Sequence, residues 1–215
     1  MEAWDEIWKT EEGRDKWLTP DPFVISLIPK FKKEKIKRIL DLGFGVGRHT
    51  IFFAKKGFDV YGLDPSPSGL EFTTKWAKKE RVFPKLTIGE MSQLPYKDDF
   101  FDLIIAWNVI YHGTTSIIHK TVTEIIRCLK TNGYLLYTLI STKHNKYGLG
   151  NEIEKNTFVI EKEEEKNHPH HYFSEKEINN YFKGFTHLTC VDKEQFYPGL
   201  YHWNILSRLN TVYND

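Results

Sequence analysis

The stretch Ile39-Leu40-Asp41-Leu42-Gly43-Phe44-Gly45-Val46-Gly47-Arg48 decides the fold. Its first part completes a short apolar run that starts at residue 36, and this run reads as a buried parallel strand that ends in glycines. Thr50 to Lys56 contains neither Gly nor Pro and has the length of a helix, and Phe58 to Leu63 repeats the apolar run. The segment therefore predicts a strand, glycine loop, helix, strand unit with a right-handed crossover, which is half of a doubly wound α/β sheet.

The strand and helix rhythm continues along the chain. Further apolar runs predict strands over residues 85–89, 101–107 and 134–140. Ser68 and Glu71 predict a capping box that opens a helix to about Lys79. Apolar residues at three- and four-residue spacing predict another helix from Ile117, which ends at Asn132-Gly133. The pattern is typical of an α/β protein.

The C-terminal third changes in character. Beyond Ser141 the chain is polar as far as His171, and the charged run Glu161 to Lys166 within it indicates a solvated loop. A stretch this long in a compact domain indicates a lid or binding loop. Ser174 and Glu177 predict a second capping box, and residues 185–192 and 201–209 predict two antiparallel strands. We therefore predict a single domain over residues 1–215, with a substrate-side loop or lid at about 142–173.

Composition and charge restrict the partners. The 215 residues include 30 Lys and Arg against 29 Asp and Glu, which gives a net charge of +1 and argues against nucleic acid as a partner. The dense basic run Lys30 to Arg38 could touch RNA phosphates, but a solvated helix end is the simpler interpretation. Cys128 and Cys190, each inside an apolar pattern, suit reduced core thiols. Met1 to Trp8 carries acidic residues and resembles neither a signal peptide nor a membrane span, so we predict a cytoplasmic protein without a membrane partner.

The glycine loop has the position of a nucleotide-binding loop, because ligands of open α/β sheets lie at the carboxyl ends of the strands. A nicotinamide fingerprint would need a third glycine where this chain has Arg48 or Thr50. Asp64 ends the second strand, where a carboxylate can accept hydrogen bonds from both ribose hydroxyls. A turn-forming aspartate before Pro65 is the alternative for this residue.

Several separated segments together resemble the class I S-adenosylmethionine-dependent methyltransferases. Leu40 to His49 looks like their first motif, with Phe44 where many members have cysteine, and Val60 to Asp64 is similar to their acidic second-strand motif. Gly89 to Tyr96, followed by Phe100 to Asp102, resembles the segment that holds adenine, and Leu129 to Tyr134 looks like the turn into their fifth strand. The resemblance covers most of the chain, and its segments occur in the family's order.

The resemblance implies a Rossmann-like, seven-stranded mixed sheet in the order 3-2-1-4-5-7-6 with helices on both faces. It also implies S-adenosyl-L-methionine as cofactor, with the Glu90 carboxylate at the exocyclic amine of adenine and the Met91 backbone amide at the ring. Arg48 would meet the cofactor carboxylate, although an exposed arginine at a helix start is equally consistent with the sequence. The cofactor-binding residues expected from the motifs are Asp41, Gly43, Phe44, Gly45, Arg48, Asp64, Pro65, Glu90, Met91, Trp107 and Asn108.

The acceptor side carries weaker signals. His112 follows the fourth strand and is the candidate general base, with a merely packed histidine as the alternative. Trp4, Trp8 and Trp17 either fold over the cofactor or belong to the core. No metal is expected, because the adjacent His170 and His171 lie on an extended segment and their side chains would point to opposite sides. The residues expected to line the acceptor pocket are Tyr111, His112, Tyr147, His171, Tyr172 and Trp203.

We therefore predict methyl transfer to a small-molecule acceptor. Methylation of RNA or protein and a non-catalytic nucleotide-binding module are the alternatives. The sequence leaves the acceptor atom and the oligomeric state open, since one fold carries many acceptor chemistries.

Overall fold

The computed structural model describes residues 2–161 and 168–211. Its strands are β1 (Arg38–Leu42), β2 (Asp59–Asp64), β3 (Lys85–Ile88), β4 (Phe101–Ala106), β5 (Leu129–Ile140), β6 (Asn151–Glu154), β7 (Thr157–Val159), β8 (His170–His171), β9 (Phe185–Glu194) and β10 (Tyr201–Leu209). Its helices are α1 (Glu2–Lys9), α2 (Glu11–Asp15), α3 (Pro22–Ser26), α4 (Ile28–Lys33), α5 (Arg48–Lys55), α6 (Pro67–Glu80), α7 (Thr115–Cys128) and α8 (Glu175–Tyr181).

The main sheet has seven strands in the order β3-β2-β1-β4-β5-β10-β9. Strands β1 to β5 pair in parallel, and β10 runs antiparallel to both β5 and β9. Counted within this sheet alone, β9 and β10 are the sixth and seventh strands. The predicted order 3-2-1-4-5-7-6 and the Rossmann-like class are therefore confirmed.

Two apolar cores cover the two faces of this sheet. Alternate residues of a strand point to opposite faces, so Leu40 packs with α7 and α8 whereas Ile39 packs with α3, α4 and α5. The central strand β4 divides in the same way, with Ile104 on one side and Leu103 on the other. A strand covered on both faces is apolar at most positions, which explains why β1 and β4 are mainly apolar apart from Arg38, Asp41 and Asp102.

The two predicted capping boxes have different outcomes. The box at Ser174 and Glu177 is present, because the Ser174 hydroxyl accepts from the Glu177 backbone N–H while the Glu177 carboxylate accepts from Ser174. The prediction of a capping box at Ser68 is wrong. Helix α6 is capped instead by Ser66, whose hydroxyl accepts from the Gly69 N–H at 2.9 Å. Pro67 explains the earlier start, since its fixed backbone angle suits the first position of a helix.

The segment over 142–173 contains more regular structure than the polar loop that we expected. Strands β6, β7 and β8 form a separate three-stranded antiparallel sheet. This small sheet is anchored to the domain because Phe158 is buried in the main core. Residues 162–167, which hold all but the first residue of the charged run, lie outside the described residues. The lid assignment over this segment stays a prediction.

Two further sequence expectations can be compared with the described part of the chain. Cys128 and Cys190 are free thiols, and burial raises the pKa of each to about 11. Among the described residues, no helix combines the length and the apolar character needed to cross a bilayer.

Candidate functional site

A cavity of about 280 Å³ lies at the carboxyl ends of β1, β2, β3 and β4. Its size is near the lower end of the range for small-molecule sites. Every residue predicted to bind the cofactor lines it, which brings together side chains from four strand ends. The walls also include Trp4, Trp8, Trp17, Leu42, Val46, His49, Leu63, Ser66, Ser92, Val109, His112, Gly113, Ile117 and His168.

The glycine loop after β1 forms the floor of the cavity. Gly43, Gly45 and Gly47 all adopt left-handed backbone angles, with φ of 69°, 53° and 85°, which only glycine adopts without strain. At Gly47 the need for glycine is also steric, because an added Cβ would lie 2.4 Å from Cγ2 of Thr73 on α6. The alternating glycines thus let the loop turn tightly and let α6 approach it.

Asp64 is the last residue of β2 and accepts hydrogen bonds from two backbone segments at the cavity. Its Oδ2 accepts from the Gly45 N–H and its Oδ1 from the Ser66 N–H, each at 2.8 Å. Burial raises the pKa of this carboxyl to about 6, although both hydrogen bonds favour the charged form. Each carboxylate oxygen has a further lone pair, so the group can accept two more hydrogen bonds from a ligand. The turn-forming role and a binding role are therefore compatible.

Asp41, on β1, lies beneath the loop and is equally buried. Its Oδ2 accepts from the Thr50 hydroxyl at 2.6 Å, which links β1 to the first turn of α5. Burial raises the pKa of Asp41 to about 6 as well. Two carboxyl groups therefore lie near the floor of the cavity.

Arg48 begins α5 with only 8% of its surface exposed, so the exposed-arginine interpretation is wrong. Its guanidinium lies 5.1 Å from the ring centre of Trp17, and burial lowers its pKa. Within residues 2–161 and 168–211, Arg48 makes no hydrogen bond or salt bridge with another side chain. A buried cation without a carboxylate in contact is costly unless a ligand supplies the negative charge.

His49 is a cavity residue that the sequence analysis did not select. Its Nε2 accepts from the Asp21 backbone N–H at 3.2 Å. Burial and the neighbouring Arg48 hold the pKa of His49 well below its ordinary value, so this imidazole is neutral. In the sequence His49 is only a polar residue near the start of a helix. Many residues without a functional role share this position, so the sequence gives no specific signal for it.

Three tryptophans from the N-terminal segment roof the cavity. Trp4 packs against Trp8 and Trp17 with ring centres 4.9 and 5.5 Å apart. Helix α1 is held in place by Asp5, whose Oδ1 accepts from the Ser66 hydroxyl at 2.6 Å and from the Ser68 N–H at 2.8 Å. The tryptophans therefore cover the cavity rather than only filling a core.

His112 is the one residue predicted for the acceptor side that lines the cavity. Its ring lies 6.1 Å from Trp4 and 5.2 Å from His168, which also lines the cavity. The proximity places an imidazole beneath the tryptophan roof.

The other residues predicted for the acceptor pocket lie outside the cavity walls. The rings of Tyr147, Tyr172 and Phe158 pack on one another. His171 is buried with its Nδ1 2.8 Å from the Thr157 hydroxyl. The Trp203 indole donates to the Phe173 carbonyl at 2.9 Å, and Tyr111 is buried beside His112.

These residues carry aromatic and polar groups as expected, but they pack away from the cavity walls, and Tyr147 is 40% exposed. In the described part of the chain, no group of three or more His, Cys, Asp or Glu side chains has the geometry to hold a metal ion.

Comparisons with known proteins agree with this geometry. Residues 39–133 match the family model of a methyltransferase domain. Over 140 residues the chain is 29% identical to a putative methyltransferase from Geobacillus, covering 65% of this chain and 56% of that protein. It is 28% identical over 115 residues to the ubiquinone biosynthesis O-methyltransferase of Rickettsia akari, covering 52% and 43% of the two chains. The chain thus spans about half the length of these curated relatives.

Solved structures show the same fold. An S-adenosylmethionine-dependent methyltransferase from Methanosarcina mazei superposes with a TM-score of 0.75 at 19% identity, covering 90% of this chain and 99% of that one. A Burkholderia thailandensis N1-methyltransferase, with 1,6-didemethyltoxoflavin and S-adenosylhomocysteine bound, superposes with a TM-score of 0.71 at 16% identity, covering 97% and 87%. The similarity extends over nearly the whole chain, including the segments outside residues 39–133.

Proposed function

We propose that this chain, a class I S-adenosylmethionine-dependent methyltransferase, transfers the methyl group of its cofactor to a small molecule bound beneath the N-terminal tryptophans. The roof formed by Trp4, Trp8 and Trp17 is the observation that carries the proposal. A covered cavity of about 280 Å³ suits a metabolite, whereas a polymer would need an open groove.

The cavity walls fit S-adenosylmethionine group by group. The Asp64 carboxylate would accept the ribose hydroxyls, and the Glu90 carboxylate would meet the exocyclic amine of adenine beside the Met91 backbone amide. At the other end, the buried Arg48 guanidinium would pair with the carboxylate of the methionine tail. That pairing would remove the cost of a buried cation that has no anionic partner in contact within the described residues.

The chain's own contribution to the reaction is binding, orientation and exclusion of water. S-adenosylmethionine supplies an electrophilic methyl group on a positively charged sulfur. The tryptophan roof would shield the reacting atoms from solvent, and the walls would hold the acceptor in line with the methyl group. His112 would accept the proton that the acceptor loses, since its imidazole is the candidate base that lines the cavity.

The basic run is paired only in part within the chain. Lys30 lies 3.6 Å from the Glu34 carboxylate, and Arg38 lies 3.5 Å from the Asp59 carboxylate and stacks on Phe100. The other lysines of the run are exposed: Lys32, Lys33, Lys35 and Lys37. RNA is therefore the second candidate acceptor, and its binding would be sensitive to salt.

Two measurements test the proposal. In calorimetric titrations the protein should bind S-adenosylhomocysteine and should not bind NAD; no binding of S-adenosylhomocysteine would overturn the proposal. A cell extract would then be incubated with methyl-labelled cofactor and separated into small-molecule, RNA and protein fractions. We expect label in the small-molecule fraction, above the background of an Asp64→Ala control. Label in RNA or protein, or in no fraction despite cofactor binding, would contradict methyl transfer to a metabolite.

A further inference from the structure

Asn108 occupies an unusual place at the end of β4. It follows Trp107 and adopts a left-handed backbone conformation with φ of 62°, which asparagine tolerates better than most residues. Its backbone N–H donates to the Thr138 hydroxyl on β5 at 2.7 Å, and that hydroxyl donates back to the Asn108 Oδ1 at 2.8 Å. The two hydrogen bonds form a closed clamp that fixes both the backbone and the side chain.

The clamp determines which end of the amide is available to a ligand. Thr138 is fully buried, and its hydroxyl hydrogen needs an acceptor. Reversing the amide would place the Nδ2 hydrogens there and would leave the Thr138 hydroxyl hydrogen without an acceptor. The Oδ1 atom is therefore held against Thr138, and the Nδ2 group is the end of the amide that is available to a ligand. Nδ2 makes no hydrogen bond within the described residues, and Asn108 lines the cavity. The site consequently offers donors, not an acceptor, at this position.

The carboxylates of the cavity have other roles. The walls contain three, of which Asp41 bonds Thr50 and Asp64 bonds two backbone amides. Glu90 is exposed at the end of the cavity assigned to adenine. Among the described wall residues, no carboxylate is left to hold a cationic amine.

The acceptor region presents aromatic surface. Trp4, Trp8, Trp17 and Trp107 line the cavity together with His112, and such walls favour a flat aromatic ring. Because the Asn108 Nδ2 group is a donor and no wall carboxylate is left, an acceptor that carries an oxygen atom suits this region better than one that carries an ammonium group.

We propose that the methyl acceptor is a planar aromatic compound with an acidic hydroxyl group, and that the Asn108 Nδ2 group donates a hydrogen bond to the reacting oxygen. This inference rests on the proposed function. It assigns Asn108 to the acceptor, whereas the sequence motif suggested the cofactor. Asn108 is then a residue that selects oxygen acceptors.

The reaction balances without any further reactant. The hydroxyl gives its proton to His112, and the Asn108 hydrogen bond stabilises the resulting oxyanion. A lone pair of that oxygen forms the new bond to the methyl carbon as the bond between carbon and sulfur breaks. Sulfur keeps the electron pair of the broken bond, so the products are an aryl methyl ether and S-adenosylhomocysteine. The hydrogen bond leaves other lone pairs of the oxyanion free to attack.

A set of matched acceptors tests the chemical class. Single-ring and two-ring aromatic compounds of the same shape would be offered with a hydroxyl, an amine or a thiol as the reacting group, together with methyl-labelled cofactor. We expect methyl ethers from the hydroxyl compounds and little product from the amines. Faster methylation of the amines or thiols would overturn the inference. So would the absence of any methylated hydroxyl compound, provided that the protein binds S-adenosylhomocysteine and labels the small-molecule fraction of an extract. Either result would leave the proposed function standing.

Two variants test the role of Asn108. Asn108→Asp keeps an oxygen for the Thr138 hydroxyl but replaces the donor with a negative charge. Loss of one charge-assisted hydrogen bond predicts a fall in kcat/KM of roughly tenfold to a hundredfold, with the activity profile moved to higher pH and the affinity for S-adenosylhomocysteine unchanged. Thr138→Val releases the clamp and should lower kcat/KM less. An Asn108→Asp variant that loses cofactor affinity in parallel with activity would assign the residue to the cofactor instead.

Discussion

Replacement of Asp64 by asparagine should make the stability of the protein less dependent on pH and should weaken binding of the cofactor. The carboxyl is 6% exposed, and burial raises its pKa from 3.8 to about 6. Between these values the folded state holds a proton that the unfolded chain has released, so the free energy of unfolding falls as the pH rises through this window. Above about pH 6 the charged group therefore costs about two pKa units at about 1.4 kcal/mol each, or about 3 kcal/mol.

Asparagine removes this cost because it carries no charge at any pH. Its amide nitrogen cannot accept the hydrogen bond that the Gly45 or Ser66 N–H donates to Asp64, and this loss costs roughly 1 to 3 kcal/mol at every pH. The substitution also removes an acceptor, since an amide nitrogen replaces one carboxylate oxygen that would meet the ribose. If a charge-assisted hydrogen bond contributes about 1.5 to 3 kcal/mol, the affinity for S-adenosylhomocysteine should fall roughly tenfold to a hundredfold. The same substitution should therefore lower affinity at neutral pH, and its effect on stability should become more favourable as the pH rises.

Urea denaturation at about pH 4 and about pH 7.5 measures the first effect, and calorimetry measures the second. The difference in stability between Asp64→Asn and the wild type should grow in favour of the variant, by up to about 3 kcal/mol, as the pH rises. Removal of the Asp64 charge also removes its repulsion of Asp41, which changes the difference in the same direction. Asp15→Asn, at an exposed position of α2, controls for the loss of one charge. A variant that is less stable than the wild type by the same amount at both pH values would refute the reasoning.

Three further substitutions test the loop, the roof and the tail of the cofactor. Gly47→Ala should lower the free energy of unfolding by several kcal/mol in urea denaturation, because the added Cβ would lie 2.4 Å from Thr73. The control Gly57→Ala, with φ of 86° and no atom within 4 Å, should cost only about 1 kcal/mol for the left-handed backbone. Equal losses would contradict the steric argument. Asp5→Ala removes the hydrogen bonds that hold α1 on α6, so it should lower the free energy of unfolding by about 1 kcal/mol and speed cofactor release in stopped-flow tryptophan fluorescence. The matched control is Glu6→Ala, whose side chain is 69% exposed, and identical release rates for the two variants would exclude a role for the roof. Arg48→Met should weaken S-adenosylhomocysteine binding about tenfold in calorimetry but leave methylthioadenosine, which lacks the methionine carboxylate, unaffected; equal losses would remove the proposed ion pair.

The sequence alone was sufficient for the sheet and for the cofactor side of the cavity. A parallel βαβ unit brings the loop after β1 and the end of β2 together through short, local connections. For this reason Gly45 and Asp64, nineteen positions apart in the chain, could be assigned to one binding site from the sequence, and the structure joins them by a hydrogen bond. The N-cap of α6 was predicted at Ser68 instead of Ser66, because both are serines just before a helical segment. The hydrogen bonds of Ser66 with Asp64 and Asp5 favour Ser66.

Only the tertiary structure decided which side chains from remote segments line the cavity. Tyr147, Tyr172 and Trp203 have suitable chemistry but lie outside the cavity walls, whereas Trp4 and His168 reach the cavity from distant parts of the chain. The direction of a side chain on a short strand or loop depends on which of its two faces is covered. That choice is made by contacts between remote segments, whereas the glycine loop follows from backbone sterics within a few residues.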